Sequence, residues 1–420
     1  MNNTRSLARQ LPAGIVDASF ASLATFVIGL AAVNLLEGTE RGIYAIYFTT
    51  FMMATVLPRN LVFTPSEVDT VGFAAEHRIP VIRRTIALGI GPALLGAASV
   101  GLAALVSSSL TSADVIAPFT ITTVIAAALS PLQDHLRRML HIGEKSWLAA
   151  WVSIVQFGTA GIAILTMMAA DVPIPWIPFG ALAVANLTSL SFGWFATLGL
   201  HRQVPEEARL HLGQLARRGR WLVLQAAAPS LAGFVAATII TRLASAEALG
   251  FAEAARVVAQ PILVLATGLT AVLAPRTMEA AMNRDLATAR HASRVFMRAV
   301  AVGGVGYMAI AGWSWQLNPM SRLVPSAYEV EGLVAVTIIA NLATAAVFLQ
   351  INELLGAKRE RVLAKLAWAL SPILLLGAAT AGTTEAFARA IGRLSESVVR
   401  FVAQLIAIRP QYDSTDNEPL

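Results

Sequence analysis

Ser22-Leu23-Ala24-Thr25-Phe26-Val27 is echoed by Ser230-Leu231-Ala232-Gly233-Phe234-Val235 in the second half of the chain. The same register, without a gap, pairs Leu35 with Leu243 and Gly42 with Gly250. Both stretches lie inside apolar runs long enough to cross a bilayer, which takes about 20 residues as a helix. A second echo joins Gly143-Glu144-Lys145 to Gly356-Ala357-Lys358. Each match is cheap in a chain rich in Ala and Leu. Together they predict that one membrane-embedded unit occurs twice.

Comparable apolar runs cover residues 13–35, 42–63, 85–107, 115–131, 147–170 and 174–200, then 221–243, 250–275, 295–315, 332–351, 363–382 and 386–408. The fold class is therefore an all-α polytopic membrane protein of about twelve transmembrane helices in two six-helix bundles. Composition agrees: 56% of the 420 residues are hydrophobic and 13% charged, against about 25% charged in soluble domains. The first run is long enough to span and has no small-residue cleavage site after a short core, so it is expected to stay as a helix. The last run carries Arg389, Arg393, Glu396 and Arg400. It also fits an amphipathic helix lying in the interface.

Charge predicts orientation, because short cytoplasmic loops collect Lys and Arg. Arg78, Arg83 and Arg84 follow the second run, Arg137, Arg138 and Lys145 the fourth, and Arg202, Arg209, Arg217, Arg218 and Arg220 the sixth. Arg276, Arg284, Arg290, Arg294 and Arg298 follow the eighth, and Lys358, Arg359, Arg361 and Lys365 the tenth. The opposite connections hold Arg41, Arg242 and Arg322. Strict alternation predicts an even number of crossings with both termini in the cytoplasm. Residues 1–220 would form an N-terminal bundle and 221–420 a C-terminal bundle with a short polar tail. An even unit inserts the same way twice, so the axis relating the halves runs along the membrane normal.

The stretch Asp17-Ala18-Ser19-Phe20-Ala21-Ser22-Leu23-Ala24-Thr25-Phe26, with Glu40-Arg41-Gly42-Ile43-Tyr44-Ala45, resembles polysaccharide exporters. These are the Wzx-type oligosaccharide flippases of the multidrug/oligosaccharidyl-lipid/polysaccharide (MOP) superfamily. The segment 132–140 resembles that family's amphipathic connection after helix 4, and Leu249-Gly250-Phe251-Ala252-Glu253-Ala254-Ala255-Arg256 its start of helix 8. The resemblance implies two bundles around a central cavity that opens to either side in turn. It implies an undecaprenyl-pyrophosphate-linked oligosaccharide as substrate and a bacterial cytoplasmic (inner) membrane location. A polysaccharide polymerase and glycosyltransferases are the implied partners, besides membrane lipid.

An anionic headgroup crossing hydrocarbon needs cationic partners, and arginine forks onto phosphate oxygens. Arg59, after Pro58 and beside Asn60, reads either as such a group or as an arginine snorkelling to the interface. Arg256 reads as a cavity cation or as the local ion-pair partner of Glu253, three residues earlier on the same face. Lipid II flippases resemble this chain in carrying arginines on helices 2 and 8. Gln260 joins Arg59, Asn60, Glu253 and Arg256 as a substrate-binding candidate. Asp17 reads as a coupling site for a proton or cation, or as the ion-pair partner of Arg9 or Arg59. Its counterpart in the repeat is Gln225.

Cysteine is absent, which excludes disulfides, thiolate catalysis and Cys-based metal sites. The sequence has no Walker loop, no His-Glu-x-x-His and no G-x-S-x-G, and its six His lack ligand spacing. No enzyme activity, cofactor, metal or nucleic-acid partner is expected. Transport would draw on an ion gradient, the membrane potential or consumption of product. Two other classes fit the span count: an ion-coupled drug or metabolite antiporter, and a membrane polysaccharide polymerase. The polymerase would need a large external loop, which the short connections do not supply.

Overall fold

The computed structural model describes residues 2–71, 73, 75–200, 210–312, 330–409 and 412, with the side chains of the first helix from Pro12 onward. Among these residues every regular element is helical, and the helices form twelve rods. They are α1 (Asn2–Leu35), α2 (the pieces Gly38–Ala54, Val56–Pro58, Arg59–Phe63 and Thr64–Val71), α3 (Ala75–Ala97 and Val100–Ser107), α4 (Ala113–Ile142), α5 (Ser146–Ala169) and α6 (Ile177–Ala196). Then come α7 (Leu212–Leu243), α8 (Ala246–Met282), α9 (Leu286–Ala311), α10 (Leu333–Ala346 and Phe348–Gly356), α11 (Glu360–Ala379) and α12 (Phe387–Ile408). Ten of the rods are long and apolar enough to cross a membrane by themselves; α2 and α12 are not.

The break in α2 follows from its sequence. Pro58 has no N–H to give the Ala54 carbonyl, which would be its partner four residues back. The chain turns at Thr55 and widens to a π-helical segment over Arg59–Phe63. Side chains repair the loss: Thr55 Oγ1 donates to the Met52 carbonyl at 2.8 Å and Asn60 Nδ2 to the Val56 carbonyl at 2.9 Å. Glycines from neighbouring rods cover the rest. Gly96 of α3 sits on the Ala54 carbonyl, and Gly219 of α7 on those of Asn60 and Leu61, so closely that a Cβ would collide with either.

The strongest packing partnerships recur six rods later. α1 lies on α5 as α7 lies on α11, α5 on α6 as α11 on α12, and α4 on α6 as α10 on α12. Between the two sets, α1 lies on α8, and α2 on α7 and α8. The α1–α8 seam is antiparallel and lined by small residues: Gly14 meets Val272, Ala18 meets Gly268 and Gly29 meets Val257. Close approach of small residues is how helices associate in lipid, where burial of apolar surface drives nothing. At the far end of α2, Gly42 sits against the backbone of Ala246.

Three expectations change. The segment 132–140, read as a connection, is helical, because α4 runs through Pro131 to Ile142. Leu132, Leu136, Met139 and Leu140 recur on one face and are buried, which carries the helix past the proline. α7 and α9 begin well before their apolar runs, since hydropathy reports where hydrocarbon lies and not where a helix starts. Asp285 fixes the start of α9 by accepting from the Thr288 N–H at 3.0 Å and its hydroxyl at 2.6 Å.

The third is α12, which is not an interfacial helix. It packs along α10 and α11. Glu396, Ser397 and Gln404 are buried, whereas Val398, Val399, Val402, Leu405 and Ile406 are exposed. A helix in the interface shows its polar face to water. This one turns it into the bundle and its apolar face outward. Arg202, Arg209, Trp313, Trp315 and Arg322 lie outside the described residues, as does the side chain of Arg9.

Candidate functional site

The structure places the candidate site charges in two clusters. The first belongs to the N-terminal set of rods, toward the ends where the basic connections lie. Asp17 of α1 is buried. It accepts from Ser153 Oγ of α5 at 2.5 Å, meets His141 Nε2 at 2.7 Å, and lies 3.4 Å from Arg137 Nη1 of α4. Arg137 also holds Asp134 at 2.7 Å. Asp134 takes Arg138 Nε at 3.1 Å, and Arg138 lies 3.7 Å from Glu67 of α2. Glu67 in turn meets His135 Nδ1 at 2.9 Å. The α4 helix makes this possible because Asp134, Arg137, Arg138 and His141 fall three and four residues apart, on one face.

Asp17 read as a coupling site or as the ion-pair partner of Arg9 or Arg59. Its partners among the described residues come from α4 and α5, which the α1–α5 packing brings within reach, and Arg59 is not one of them; the Arg9 side chain lies outside the described residues. Arg59 lies on the π segment of α2, exposed, within electrostatic range of Arg138, Asp134, Glu67 and Arg137. Among the described residues it makes no ion pair or hydrogen bond. Asn60 beside it is committed to the Val56 carbonyl.

The second cluster sits at the seam between the two sets. α8 starts cleanly: Ser245 caps it by accepting from the Ala248 N–H at 2.9 Å, with Glu247 in the first turn. Glu253 and Arg256 then lie about 10 and 15 Å along the helix at 1.5 Å per residue. Glu253 is completely buried. It accepts from Arg256 Nη2 at 2.6 Å and from Arg389 Nη1 of α12 at 3.1 Å. The Arg256 guanidinium lies 4.1 Å from the centre of the Phe48 ring of α2, a cation–π contact. Its Nη1 donates to Gln260 Oε1 at 3.4 Å, and Gln260 Nε2 donates to Thr25 Oγ1 of α1 at 3.0 Å. Arg393, one turn beyond Arg389, is within electrostatic range of Arg389, Arg256, Glu396 and Glu253. Among the described residues it has no ion-pair partner. Arg400 holds Glu396.

Glu253, Arg256 and Gln260 are thus brought together. Arg59, Asn60 and Asp17 belong to the other cluster. The additional members of the second site, Arg389 and Arg393, stand in the sequence as the charges that made the last run look interfacial. The signal was their spacing: Arg389, Arg393, Glu396 and Arg400 share one helical face.

The two balances differ. Arg59, Arg137 and Arg138 face Asp17, Glu67 and Asp134, so the first cluster carries no net charge if its histidines are neutral. Arg256, Arg389, Arg393 and Arg400 face Glu253 and Glu396, an excess of two positive charges. Such an excess inside a membrane protein is costly unless an anion or water-filled space compensates it.

No family model matches the sequence, and no curated protein is similar to it at a significant level. Solved structures do match. A MATE transporter in a straight conformation superposes with TM-score 0.68 at 12% identity, over 97% of each chain. An inward-facing multidrug resistance MATE family transporter of the MOP superfamily gives 0.63 at 12% identity, over 96% of this chain and all of that one. A MOP superfamily transporter from Pyrococcus furiosus, described by a reverse polarity of its binding pocket that suggests a different function, gives 0.64 at 14% identity, over 97% and 96%. At these identities the likeness shows the fold, which is that of MATE-like transporters.

Proposed function

We propose that this protein is a membrane transporter that flips an anionic lipid-linked oligosaccharide, of the polyprenyl-pyrophosphate type, across a bacterial cytoplasmic membrane for surface polysaccharide synthesis. One observation carries the reading: Arg256 and Arg389 share the Glu253 carboxylate, with Arg393 in electrostatic range, at the seam where α1, α2, α8 and α12 meet. Guanidinium groups in excess, away from bulk water, suit a pyrophosphate. Gln260 and Thr25 beside them offer partners for hydroxyls. Arg59 would meet the same headgroup nearer the basic side. The two sets of rods, divided in the α6–α7 connection, would rock about the seam, and both termini would face the cytoplasm. The polymerase and glycosyltransferases of the pathway are the proposed partners.

Deletion of the gene is expected to leave the lipid-linked sugar on the cytoplasmic leaflet, and Arg256→Gln or Arg393→Gln to do the same in protein that inserts normally. An unchanged leaflet distribution removes the proposal. A second reading, an ion-coupled drug or metabolite antiporter, is favoured by the buried carboxylate of Asp17 with its partners His141 and Ser153. Export of organic cations by purified protein, with no effect on lipid-linked sugar, would select it.

A further inference from the structure

The imidazole of His135 is buried and both of its nitrogens are spoken for. Nε2 lies 2.9 Å from Thr85 Oγ1 of α3, and Nδ1 lies 2.9 Å from Glu67 Oε1 of α2. Thr85 has one hydroxyl proton, and it goes to the Ile82 carbonyl at 2.6 Å. Toward His135 the hydroxyl is therefore an acceptor, and Nε2 must carry a hydrogen. A neutral ring has only one N–H, which leaves Nδ1 bare. A bare nitrogen facing an ionised carboxylate at 2.9 Å places two lone pairs against each other. The contact is attractive only if one more proton is present, on Nδ1 or on Glu67. Ser66 does not relieve this, since its own proton goes to the Phe63 carbonyl at 2.7 Å.

The ring has little room to turn away. It is stacked on Phe63, with centroids 4.0 Å apart and planes 11° from parallel. Phe63 ends the π segment and is wedged against Gly89 of α3, where even a Cβ would collide with the ring. The pair thus ties the last piece of α2 to α3 and α4.

We propose that Glu67 and His135 form a binding site for one proton, and that losing this proton turns Glu67 away from the ring and onto the neighbouring arginines. The charged groups facing the pair support the second half. Arg138 already lies 3.7 Å from Glu67 and shares itself with Asp134. Arg59, unpaired among the described residues, is within electrostatic range of Glu67. Arg137 is held by Asp17 and Asp134. On the far side of the same helix piece, Asp69 is taken by Arg218 of α7. From α3 the pair receives the Thr85 hydroxyl. With the proton bound, the carboxylate stays on the ring and Arg59 is free for an anion. With it gone, the carboxylate competes for Arg59. The proton site stands whatever the transported molecule is; only the consequence at Arg59 rests on the function proposed above.

The test is spectroscopic, on the full-length protein in lipid nanodiscs near neutral pH. Nitrogen-15 NMR of histidine-labelled protein is expected to show His135 with two N–H groups, or infrared difference spectra an un-ionised Glu67 carboxyl. Glu67→Gln, in which the amide can donate to Nδ1, should abolish that signal and leave a single N–H on Nε2. Thr85→Val removes the acceptor at Nε2 and should also abolish it, leaving the single N–H on Nδ1. The proposal is overturned if the unaltered protein shows one bare ring nitrogen beside an ionised Glu67, or if neither substitution changes the spectrum.

Discussion

Asp17 and Glu253 are both buried carboxylates on transmembrane helices, and their neighbourhoods teach different things. Asp17 shares its cation: Arg137 binds Asp134 as well, and a hydroxyl and an imidazole complete the shell. Glu253 is shared by Arg256 and Arg389, with Arg393 within electrostatic range and without an ion pair among the described residues. The first arrangement is closed, because Asp17, Arg137 and Asp134 answer one another inside the same half. The second is open, because its arginines outnumber its carboxylates. A balanced cluster holds helices together; an unbalanced one at a seam is where, under the proposed function, a charged cargo would lower the energy.

The largest effect that would sharpen this contrast is expected from Glu253→Ala. Removing one partner of a buried ion pair costs about 3–5 kcal/mol, and here several arginines would be left uncompensated. Thermal unfolding in detergent should fall steeply, and a melt like that of the parent would show the arginines to be hydrated instead. Asp17→Asn should cost less, about 1.5–3 kcal/mol for lost hydrogen bonds to a charged group, because Arg137 keeps Asp134. If it destabilises more than Glu253→Ala, the distinction between closed and open clusters is wrong.

The seams supply a smaller test. Gly42→Ala would drive a methyl into the Ala246 backbone, and Gly219→Ala one into Leu61. Each should cost about 1–3 kcal/mol as overpacking. They act at opposite ends of α2, so labelling of cysteines introduced along α1 and α8 should rise from opposite sides of the membrane in the two variants. Equal labelling from both sides would mean that the seams do not act as separate gates. The smallest change in stability is expected from Arg393→Gln, within about 0.5 kcal/mol as for a residue making no specific contact. Transport should nevertheless fall sharply. Normal flipping with normal stability would remove Arg393 from the cargo site.

Much of this fold was legible in the chain, for reasons visible at particular residues. The runs around Ser22 and Ser230 announce themselves because lipid demands unbroken apolar helices. The α12 helix did not, because its charges turn into the bundle and not to water, with Arg389 on Glu253 of α8 and Arg400 on Glu396 of the same helix. Glu253 and Arg256 could be paired from sequence, being one helical turn apart. Arg389, which completes them, is separated by most of the C-terminal half. The α4 face of Asp134, Arg137, Arg138 and His141 has the helical spacing, but Pro131 made it read as a connection. Asp17 shows the limit most plainly: its partners among the described residues lie 120 to 136 residues along the chain.

Hydropathy, the alternation of basic connections and the internal echo are summed over many residues, so they are enough to mark a membrane protein of paired six-helix units and to show which ends of its helices are basic. Which carboxylate meets which guanidinium was decided only by tertiary structure. A single charge pair depends on the rotation and crossing of two helices, where a shift of one residue turns a side chain by about 100°. That rotation is fixed by contacts such as Gly219 on the α2 break and Gly29 on Val257, which no local pattern encodes.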